Sequence, residues 1–561
     1  MARRASRPLS ALAAALAGIA AAALFLGVGD LIAVLVDPAA SPFFVLGATV
    51  VDHTPNWLKD SAIRWFGAND KLALSITMAV VMTLAAAAIG VLARRRPAAG
   101  ATILAALGLG VAGAALLRPS ATPWFAAPSV VATAAAVLAL LALVTRRAVP
   151  AARRPDGRAG REVGRPAPEE PHALALPPAK PDRDQPGAPP SDAQADRIGQ
   201  GAPPPPGRPR RAFLCTLAAV AAGAAAAGAA GRSLGSRLHD IAADRAAFVL
   251  PRASAAPPVA PGTDLRLPGL TPFLTANEDF YRVDTALQLP ALTRANWRLR
   301  IHGMVDREIR LDFDELSART AVESIVTLTC VSNEVGGDLA GTARWTGYRL
   351  TDLLAEAGPA PGADMVLSRS IDGFTASTPL AALLGNPDAL LAVGMNGTPL
   401  PVTHGYPARM IVPGLYGYVS ATKWVVDLEV TRFDRAEAYW TRRGWSPRAP
   451  IETASRIDVP AAFATLPAGP VTVAGVAWAQ TRGIAAVEVQ VDDGPWQPAT
   501  LAAAYSLDTW RQWSFAWQAT PGTHTLRVRA TDSTGRPQTP DRTPPFPDGA
   551  TGHHTRVLTI R

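Results

Sequence analysis

The chain has 561 residues, of which 49% are hydrophobic and only 18% are charged. This balance disfavours a purely cytosolic protein, and the length leaves room for about three domains. The formal net charge is +9, and much of the excess flanks apolar segments, where it indicates membrane topology rather than nucleic-acid binding. Two cysteines, Cys215 and Cys330, are too few for a disulfide-stapled scaffold or a Cys-rich zinc or iron–sulfur protein.

Residues 1–145 predict an all-α transmembrane region with four spans. The apolar runs of spanning or near-spanning length are 9–36, 72–93, 101–117 and 130–144. A shorter run, 43–51, cannot span alone and predicts a re-entrant or interfacial segment. When the amino terminus is inside, three arginine clusters fall on the cytoplasmic side, at residues 3–7, 94–96 and 146–147. The four spans then return the chain to the cytoplasm.

The segment 146–211 is rich in Pro, Ala and Arg and lacks aliphatic periodicity, so it predicts a disordered cytoplasmic linker. Arg210 and Arg211 then precede a weakly hydrophobic stretch, which predicts a fifth span at 212–231. The arginine pair resembles a twin-arginine export signal, and the alternative is an ordinary span flanked by positive charge. With either alternative, the chain after about residue 235 is expected on the extracytoplasmic side of a cell membrane.

Two globular domains are predicted after this span. Residues 255–445 mix strands with short helices, which is typical of an α+β domain. The main strands are expected at 297–305, 323–331, 365–371, 390–395, 410–412 and 423–431, and helices at 311–318, 351–357 and 379–384. Residues 450–561 instead contain short alternating strands divided by turns such as Asp493–Gly494, which is typical of an Ig-like β-sandwich.

Cys330 is the single cysteine of the predicted exported part, and it follows a strand and precedes a turn-rich polar segment. Three roles are open for it. It is a small buried hydrophobe, a catalytic nucleophile with a nearby base, or a thiolate ligand of a soft transition metal whose other ligands come from a cofactor. Because exported domains normally pair or discard their thiols, a chemical role is as plausible here as a packing role.

Several separated motifs, in the correct order, resemble those of the sulfite oxidase family of molybdopterin enzymes. The motifs are Asn277–Arg282, Thr329–Glu334 with Gly341–Gly347, His404–Arg409 followed by Val412–Gly414, and Lys423–Trp424. The resemblance runs from about residue 265 to the carboxyl terminus. It implies a molybdopterin-binding α+β domain, followed by the family's sandwich, often called its dimerisation domain, and hence a possible homodimer.

The resemblance also implies the residues of a molybdenum–molybdopterin site. Cys330 would be the catalytic residue and the one protein thiolate on the metal, with a pterin dithiolene and oxo groups completing the coordination. The residues that would hold the pterin and its phosphate are His404, Arg409, Ser420 and Lys423, with Ala421 and backbone amides beside them. The pterin-side contacts would be Asn277, Phe280, Tyr281 and Arg282.

The sequence departs from the family where a small anion would bind. Animal and plant sulfite oxidases carry Arg–Asn–His in the first motif, where the arginine helps to bind sulfite, but this chain has Ala276–Asn277–Glu278. Glu334 also holds the position of an arginine that often follows the metal cysteine. These changes argue against sulfite as the best substrate. The first motif looks more like that of the bacterial exported methionine-sulfoxide reductase branch, which lacks the sandwich.

The sequence therefore predicts a membrane-anchored, extracytoplasmic molybdenum oxidoreductase that transfers an oxygen atom on a small sulfur- or nitrogen-centred substrate. Alternatives are a methionine-sulfoxide-type reductase and a non-enzymatic envelope adhesin or scaffold, although the latter explains neither Cys330 nor the basic residues Arg409 and Lys423. No Cys-x-x-Cys-His motif occurs and no histidine lies in an apolar span, so electrons are expected to use a separate cytochrome or quinone-linked carrier. Cofactor insertion in the cytoplasm favours twin-arginine export.

Overall fold

A computed structural model of the chain describes residues 10–55, 70–118, 121–145, 208–238 and 240–561, together with Leu58 and Trp65. Most of the predicted linker, residues 146–207, lies outside the described residues. The described helices are α1 (Ala11–Val36), α2 (Pro42–His53), α3 (Asp70–Arg95), α4 (Pro97–Leu116), α5 (Ala127–Thr145), α6 (Arg208–Leu238), α7 (Ile241–Ala247), α8 (Phe313–Ser317), α9 (Leu350–Ala357), α10 (Leu380–Gly385) and α11 (Gly417–Ser420).

Five of the described helical segments are long and apolar enough to cross a membrane. They are Ala11–Val36, Lys71–Arg95, Pro97–Leu116, Pro123–Thr145 and Arg211–Gly235. Small residues let these helices approach closely. A Cβ on Gly18 of α1 would lie 1.9 Å from the carbonyl oxygen of Ala86 in α3, so the two backbones are in contact. Helix α2 has 12 residues, too few to span the hydrocarbon core.

The chain after residue 250 folds mainly around β-strands. The described strands are β1 (Ala253–Ser254), β2 (Arg298–Gly303), β3 (Ile309–Asp312), β4 (Ala321–Thr329), β5 (Ala340–Arg349), β6 (Met365–Ser370), β7 (Thr375–Pro379), β8 (Leu390–Met395), β9 (Thr398–Pro399), β10 (Arg409–Ile411), β11 (Val425–Thr431), β12 (Ala454–Val459), β13 (Thr465–Leu466), β14 (Gly469–Trp478), β15 (Ile484–Val491), β16 (Gln497–Pro498), β17 (Thr500–Leu501), β18 (Arg511–Ala519), β19 (Gly522–Asp532) and β20 (His554–Ile560).

Strands β1 to β11 form the two sheets of the α+β domain. The first sheet has the order β1–β4–β5–β8–β10 with β9 beside β8, and the second has the order β3–β2–β11–β6–β7. The remaining strands form two further sheets, in the orders β12–β14–β18–β17 and β13–β20–β19–β15–β16. Residues 450–561 are all described and contain no helix, so this part is the β-sandwich that the sequence predicts.

The sandwich and the α+β domain share packing as well as a chain connection. Trp510, just before β18, is buried in the core of the α+β domain, where its indole Nε1 donates to the carbonyl oxygen of Phe273 at 2.9 Å. The backbone amide of Trp510 donates to Thr327 Oγ1 at 2.8 Å. Gln480 Nε2 donates to Thr329 Oγ1 at 3.2 Å. Sandwich loops therefore hold the end of β4.

The first sheet brings distant segments of the chain to one edge. β4 is antiparallel to β5, β5 to β8, and β8 to β10. The end of β4 therefore lies at the same edge as the start of β5, the end of β8 and the start of β10. Cys330 follows β4, the Asn396–Gly397 turn follows β8, and Arg409 begins β10. This edge gathers the polar residues that the motifs single out.

Candidate active site

Cys330 is the first residue after β4. It is 8% exposed, and its amide donates to the carbonyl oxygen of Leu339 at 2.9 Å, so the residues between them form a closed loop. Burial raises the pKa of the Cys330 thiol, while hydrogen bonds from Ser332 and the charge of Lys423 act in the opposite direction. A cysteine must lose its proton to bind a metal. Because burial keeps the Cys330 thiol protonated, a bound metal would have to displace that proton.

The loop after Cys330 is held from both domains. Asn333 Oδ1 accepts the amide of Leu339 at 2.9 Å, and Arg456 of the sandwich donates to the carbonyl oxygen of Gly337 at 2.8 Å. A Cβ on Gly337 would lie 2.6 Å from Asn333 Oδ1, so a larger residue there would displace the side chain that accepts the Leu339 amide. The role of Arg456 is not predictable from the sequence, because no spacing in the sequence links this residue to the loop.

Arg409, at the start of β10, is a buried cation that has carbonyl partners. It is 5% exposed, and its guanidinium donates to the carbonyl oxygens of His404 at 3.1 Å and Ala421 at 3.3 Å. Within the described part of the chain, no Asp or Glu forms a hydrogen bond with it. Burial lowers the pKa of Arg409 to about 10, so the side chain stays charged at neutral pH and attracts an anion.

Lys423 and Asp284 form a charged pair beside Arg409. Lys423 Nζ lies 2.9 Å from Asp284 Oδ2 and donates to the carbonyl oxygen of Thr403 at 3.1 Å. Burial lowers the pKa of Lys423 to about 8, although Asp284 opposes the shift. Burial, together with Arg409 and Lys423, lowers the pKa of His404 to about 4, so this imidazole is neutral at pH 7. The sequence does not predict a role for Asp284, because its partners Lys71 and Lys423 are far away in the chain.

Two aromatic residues of the first motif lie over the same edge. Phe280 is buried and packs edge-on against the His404 ring, with the ring centroids 5.6 Å apart. Burial raises the pKa of Tyr281, the charge of Cys330 raises it further and Arg409 opposes the increase. The Phe280 and Tyr281 rings also stack on each other, with centroids 5.2 Å apart.

The polar residues of that motif have protein partners. Asn396 Nδ2 donates to Asn277 Oδ1 at 2.9 Å, and the carbonyl oxygen of Asn277 lies 3.3 Å from His404 Nε2. Arg282 Nε lies 2.9 Å from Asp284 Oδ2, and the Arg282 side chain is 40% exposed. Asn277 therefore ties the motif to the turn after β8, while Arg282 joins the cations at their solvent-facing side.

Ser420 and Ala421, which the resemblance assigns to a phosphate cradle, use their hydrogen-bonding groups locally. Ser420 Oγ lies 3.0 Å from the carbonyl oxygens of both Leu415 and Tyr416. The amide of Ala421 donates to the carbonyl oxygen of Gly417 at 3.0 Å. Either group would have to exchange a partner to bind phosphate. The phosphate role of Ser420 therefore stays a prediction, and the side-chain cations are the more direct anion ligands.

The arrangement fits a metal cofactor that brings its own donors and carries an anion. Among the described residues, no group of three or more His, Cys, Asp and Glu side chains is placed to hold a metal ion, so a metal at Cys330 requires donors from a cofactor. Buried Arg409 and partly buried Lys423 offer positive charge of the kind that binds phosphate. A cofactor with a dithiolene at one end and a phosphate at the other matches both features.

Family models match both domains after residue 250. Residues 286–440 match the oxidoreductase molybdopterin binding domain, and residues 455–528 match the bacterial Ig domain. These matches fall on the α+β domain and on the sandwich, and they confirm the two domain types that the sequence predicts.

Curated relatives match the same part of the chain. The mitochondrial sulfite oxidase of Mus musculus is 32% identical over 294 residues, which cover 44% of this chain and 53% of that protein. The uncharacterized oxidoreductase YuiH of Bacillus subtilis (strain 168) is 32% identical over 152 residues, which cover 27% of this chain and 73% of that protein. Among solved structures, the sulfane dehydrogenase SoxCD from Paracoccus pantotrophus has a TM-score of 0.45 and 20% identity, and the match covers 56% of this chain and 90% of that one.

The fold and the site define a molybdopterin-binding oxidoreductase domain joined to an Ig-like module. The chain belongs to the sulfite oxidase family of molybdopterin-dependent oxidoreductases, as its motifs predict, and its cofactor is molybdenum–molybdopterin. The chain spans about half the length of the mitochondrial sulfite oxidases from Mus musculus and Homo sapiens, at 53% and 55%.

Proposed function

We propose that the chain is a membrane-anchored, extracytoplasmic oxidoreductase that transfers an oxygen atom on a small sulfur- or nitrogen-centred substrate. One observation carries the proposal: the buried thiol of Cys330, the buried cation Arg409 and the partly buried cation Lys423 are gathered at one edge of the first sheet. When bound, molybdenum–molybdopterin supplies two-electron oxygen-atom chemistry. In the oxidising direction the oxygen comes from water, and two electrons and two protons leave the site.

The chain's own residues bind and orient this cofactor. The Cys330 thiolate binds the metal, and the hydrogen bonds of β4 and the following loop hold it in position. Arg409 offers a planar fork for bidentate binding of phosphate, and Lys423 offers a point charge. Neutral His404 forms hydrogen bonds without adding charge. Because burial raises the pKa of Tyr281, its hydroxyl stays protonated and is available to donate a hydrogen bond.

The approach for a small anion carries little positive charge. Ala276, Glu278 and Glu334 are all exposed, and two of these three residues are acidic. We therefore propose that sulfite is a poor substrate of this chain and that its oxidation is weak at most. A methionine-sulfoxide-type reductase is the second candidate, favoured by the Asn277–Arg282 motif.

Purified protein tests the proposal through its metal content. We expect about one molybdenum atom and one pterin per chain, and turnover with a redox dye as acceptor or donor for a sulfur- or nitrogen-centred substrate. Protein from a host unable to make molybdopterin is the control, and it should be folded but inactive. A folded protein from a competent host without molybdenum and pterin would contradict the proposal. Faster turnover with a sulfoxide and a reduced dye would favour the second candidate.

Electron transfer is proposed to use a separate cytochrome or quinone-linked carrier. No described helix of spanning length contains a histidine, and axial haem ligands are typically histidines. The five apolar segments are therefore proposed to be an anchor. A homodimer through the sandwich stays a prediction from the family.

We propose that the α+β domain and the sandwich lie outside the cytoplasm. Contacts with the α+β domain come from Lys71 at the start of α3 and from Arg118 after α4. The opposite end of α3 carries Arg94 and Arg95, which the positive-inside rule assigns to the cytoplasm. The contacting helix ends are then on the outer side, which supports the proposed orientation.

Export is expected to depend on the arginine pair. Protease added to intact spheroplasts should remove the chain after residue 235 in the wild type. We expect Arg210→Lys with Arg211→Lys to leave the ectodomain protected inside, because a twin-arginine route requires arginine, whereas an ordinary signal-anchor accepts lysine. The matched control is Arg95→Lys with Arg96→Lys, which should not change accessibility. Normal exposure of the ectodomain in the first double variant would refute twin-arginine export.

A further inference from the structure

The helical region touches the α+β domain through a small set of docking contacts around α2. Asp52 of α2 accepts hydrogen bonds from Arg118 Nη1 at 3.0 Å and from the Tyr439 hydroxyl at 3.3 Å. A Cβ on Gly47 of α2 would lie 2.8 Å from Leu287 Cδ1. Since Leu287 belongs to the α+β domain, close to the first motif, α2 packs directly against the chain beside the site.

Lys71, near the start of α3, extends this contact to the cations of the site. Its ammonium pairs with Asp284 Oδ1, and the other oxygen, Oδ2, lies 2.9 Å from both Lys423 Nζ and Arg282 Nε. The Asp284 side chain is 6% exposed. Burial acts to raise the pKa of Asp284, but Lys423 and Lys71 overcome it and hold the pKa well below its usual range. One buried carboxylate thus connects the helical region to a predicted phosphate ligand.

We propose that Lys71 is a cofactor-retaining residue that the helical region supplies to the molybdopterin site. The inference rests on the cofactor assignment. Lys71 occupies one oxygen of Asp284 and balances part of its charge, so more of the positive charge of Lys423 is available to a phosphate. Without Lys71, Asp284 is balanced by Lys423 and Arg282, and the group of charges around the phosphate end loses one cation.

A purely mechanical role for Lys71 is the alternative, in which the ion pair only fastens the two regions together. The two roles predict different results. If Lys71 retains the cofactor, its removal speeds the release of pterin even when the helical region stays docked on the α+β domain. If Lys71 only holds the two regions together, its removal speeds release only when the two regions separate. Docking and retention therefore have to be measured separately on the same variants of the full chain.

The retention experiment uses the full chain purified in detergent with its cofactor. We measure molybdenum and pterin remaining on the protein over time after dilution. Lys71→Ala is expected to release pterin about tenfold faster, which corresponds to about 1.4 kcal/mol, and Lys71→Arg should stay within about twofold of the wild type because it keeps the charge. The matched control is Arg310→Ala, which removes an exposed cation paired with Glu308 in the second sheet and should change nothing.

The docking experiment introduces cysteines by Gly47→Cys and Leu287→Cys. A disulfide between them should form, because the Cβ of residue 47 lies against the Leu287 side chain. A protease site inserted between residues 151 and 207 allows the chain to be cut, so that the two halves run together on a non-reducing denaturing gel only when they are cross-linked. The same pair of cysteines is placed in the Lys71→Ala chain, where the disulfide is also expected.

The outcomes separate the possibilities. Faster release from Lys71→Ala with an intact cross-link, and rescue by Lys71→Arg, supports the proposal. Unchanged release, release from Lys71→Arg as fast as from Lys71→Ala, or faster release together with loss of the cross-link in Lys71→Ala overturns it. Absence of the cross-link in the chain with Lys71 overturns the docking on which it depends. A wild-type chain without pterin would instead overturn the cofactor assignment, and the inference with it.

Discussion

Cys330→Ser is expected to keep pterin and to lose nearly all turnover. Serine replaces a thiolate by an oxygen donor of much higher pKa, which gives up its proton to a metal less readily and donates less electron density to molybdenum than the thiolate does. Loss of a residue that only supports a metal ligand already costs about 10–100-fold, so loss of the ligand itself should cost at least about 100-fold. Pterin is retained because Arg409 and Lys423 hold the phosphate end independently of the thiol.

Pterin fluorescence after extraction and dye-linked turnover measure the two parts of this prediction. The matched control is Cys215→Ser, which removes the other cysteine in α6 and should leave both quantities unchanged. Full activity of Cys330→Ser would show that the thiol is not the metal ligand. Loss of pterin together with activity would show that the thiolate also anchors the cofactor.

Arg409→Ala is expected to lose cofactor and activity together. The side chain is buried and donates to carbonyl oxygens of His404 and Ala421, so its removal leaves a phosphate without its main cation and two carbonyl groups without a donor. Breaking a buried charge pair typically costs about 3–5 kcal/mol, which corresponds to roughly 100-fold or more in cofactor affinity. We therefore expect little molybdenum or pterin on the purified variant.

Arg409→Lys is the informative companion of this variant. Lysine keeps the charge but not the planar fork, so cofactor content should lie between that of the wild type and that of Arg409→Ala. Thermal unfolding of both variants, made in a host without molybdopterin, reports any loss of fold separately from loss of cofactor. Full cofactor content in Arg409→Ala would exclude a role for this arginine in binding the phosphate.

The strands of the fold differ in how well the sequence predicts them. The strand 390–395 is predicted with the bounds that the structure has, because an unbroken apolar run of this length is typical of a strand buried on both faces. Strand β5 (Ala340–Arg349) is not predicted, because Gly341 and Gly347 interrupt its pattern. Its extended form depends on hydrogen bonds to β4 and β8 on either side.

The helix expected at 311–318 shows that the sequence predicts the presence of an element better than its first residue. The structure continues strand β3 to Asp312 and begins α8 only at Phe313. Asp312 is the N-cap of α8, and its side chain and that of Glu315 form a capping box. The acidic residues therefore mark the helix correctly, but the preceding apolar positions belong to a strand that pairs with β2.

The sequence motifs predict some residues of the candidate site but not the partners of those residues. Cys330, His404, Arg409 and Lys423 are predicted because they lie within motifs of fixed local spacing. Asp284, Lys71, Arg456 and Asn396 are not predicted, since each acts through a partner far away in the chain. Such partners are determined by the packing of domains, which local sequence patterns do not record.

The contacts made by Trp510 and Gln480 restrict how the two domains can change during evolution. Ig-like modules are often exchanged between proteins as independent units, but here a module loop fills the core of its neighbour and another holds the strand before Cys330. Replacing this module by another of the same fold would leave an empty indole-sized space beside β4 and polar groups of that strand without partners. The two domains are therefore constrained to change together, and substitutions at Trp510 or Gln480 are tolerated only with matching changes around β4.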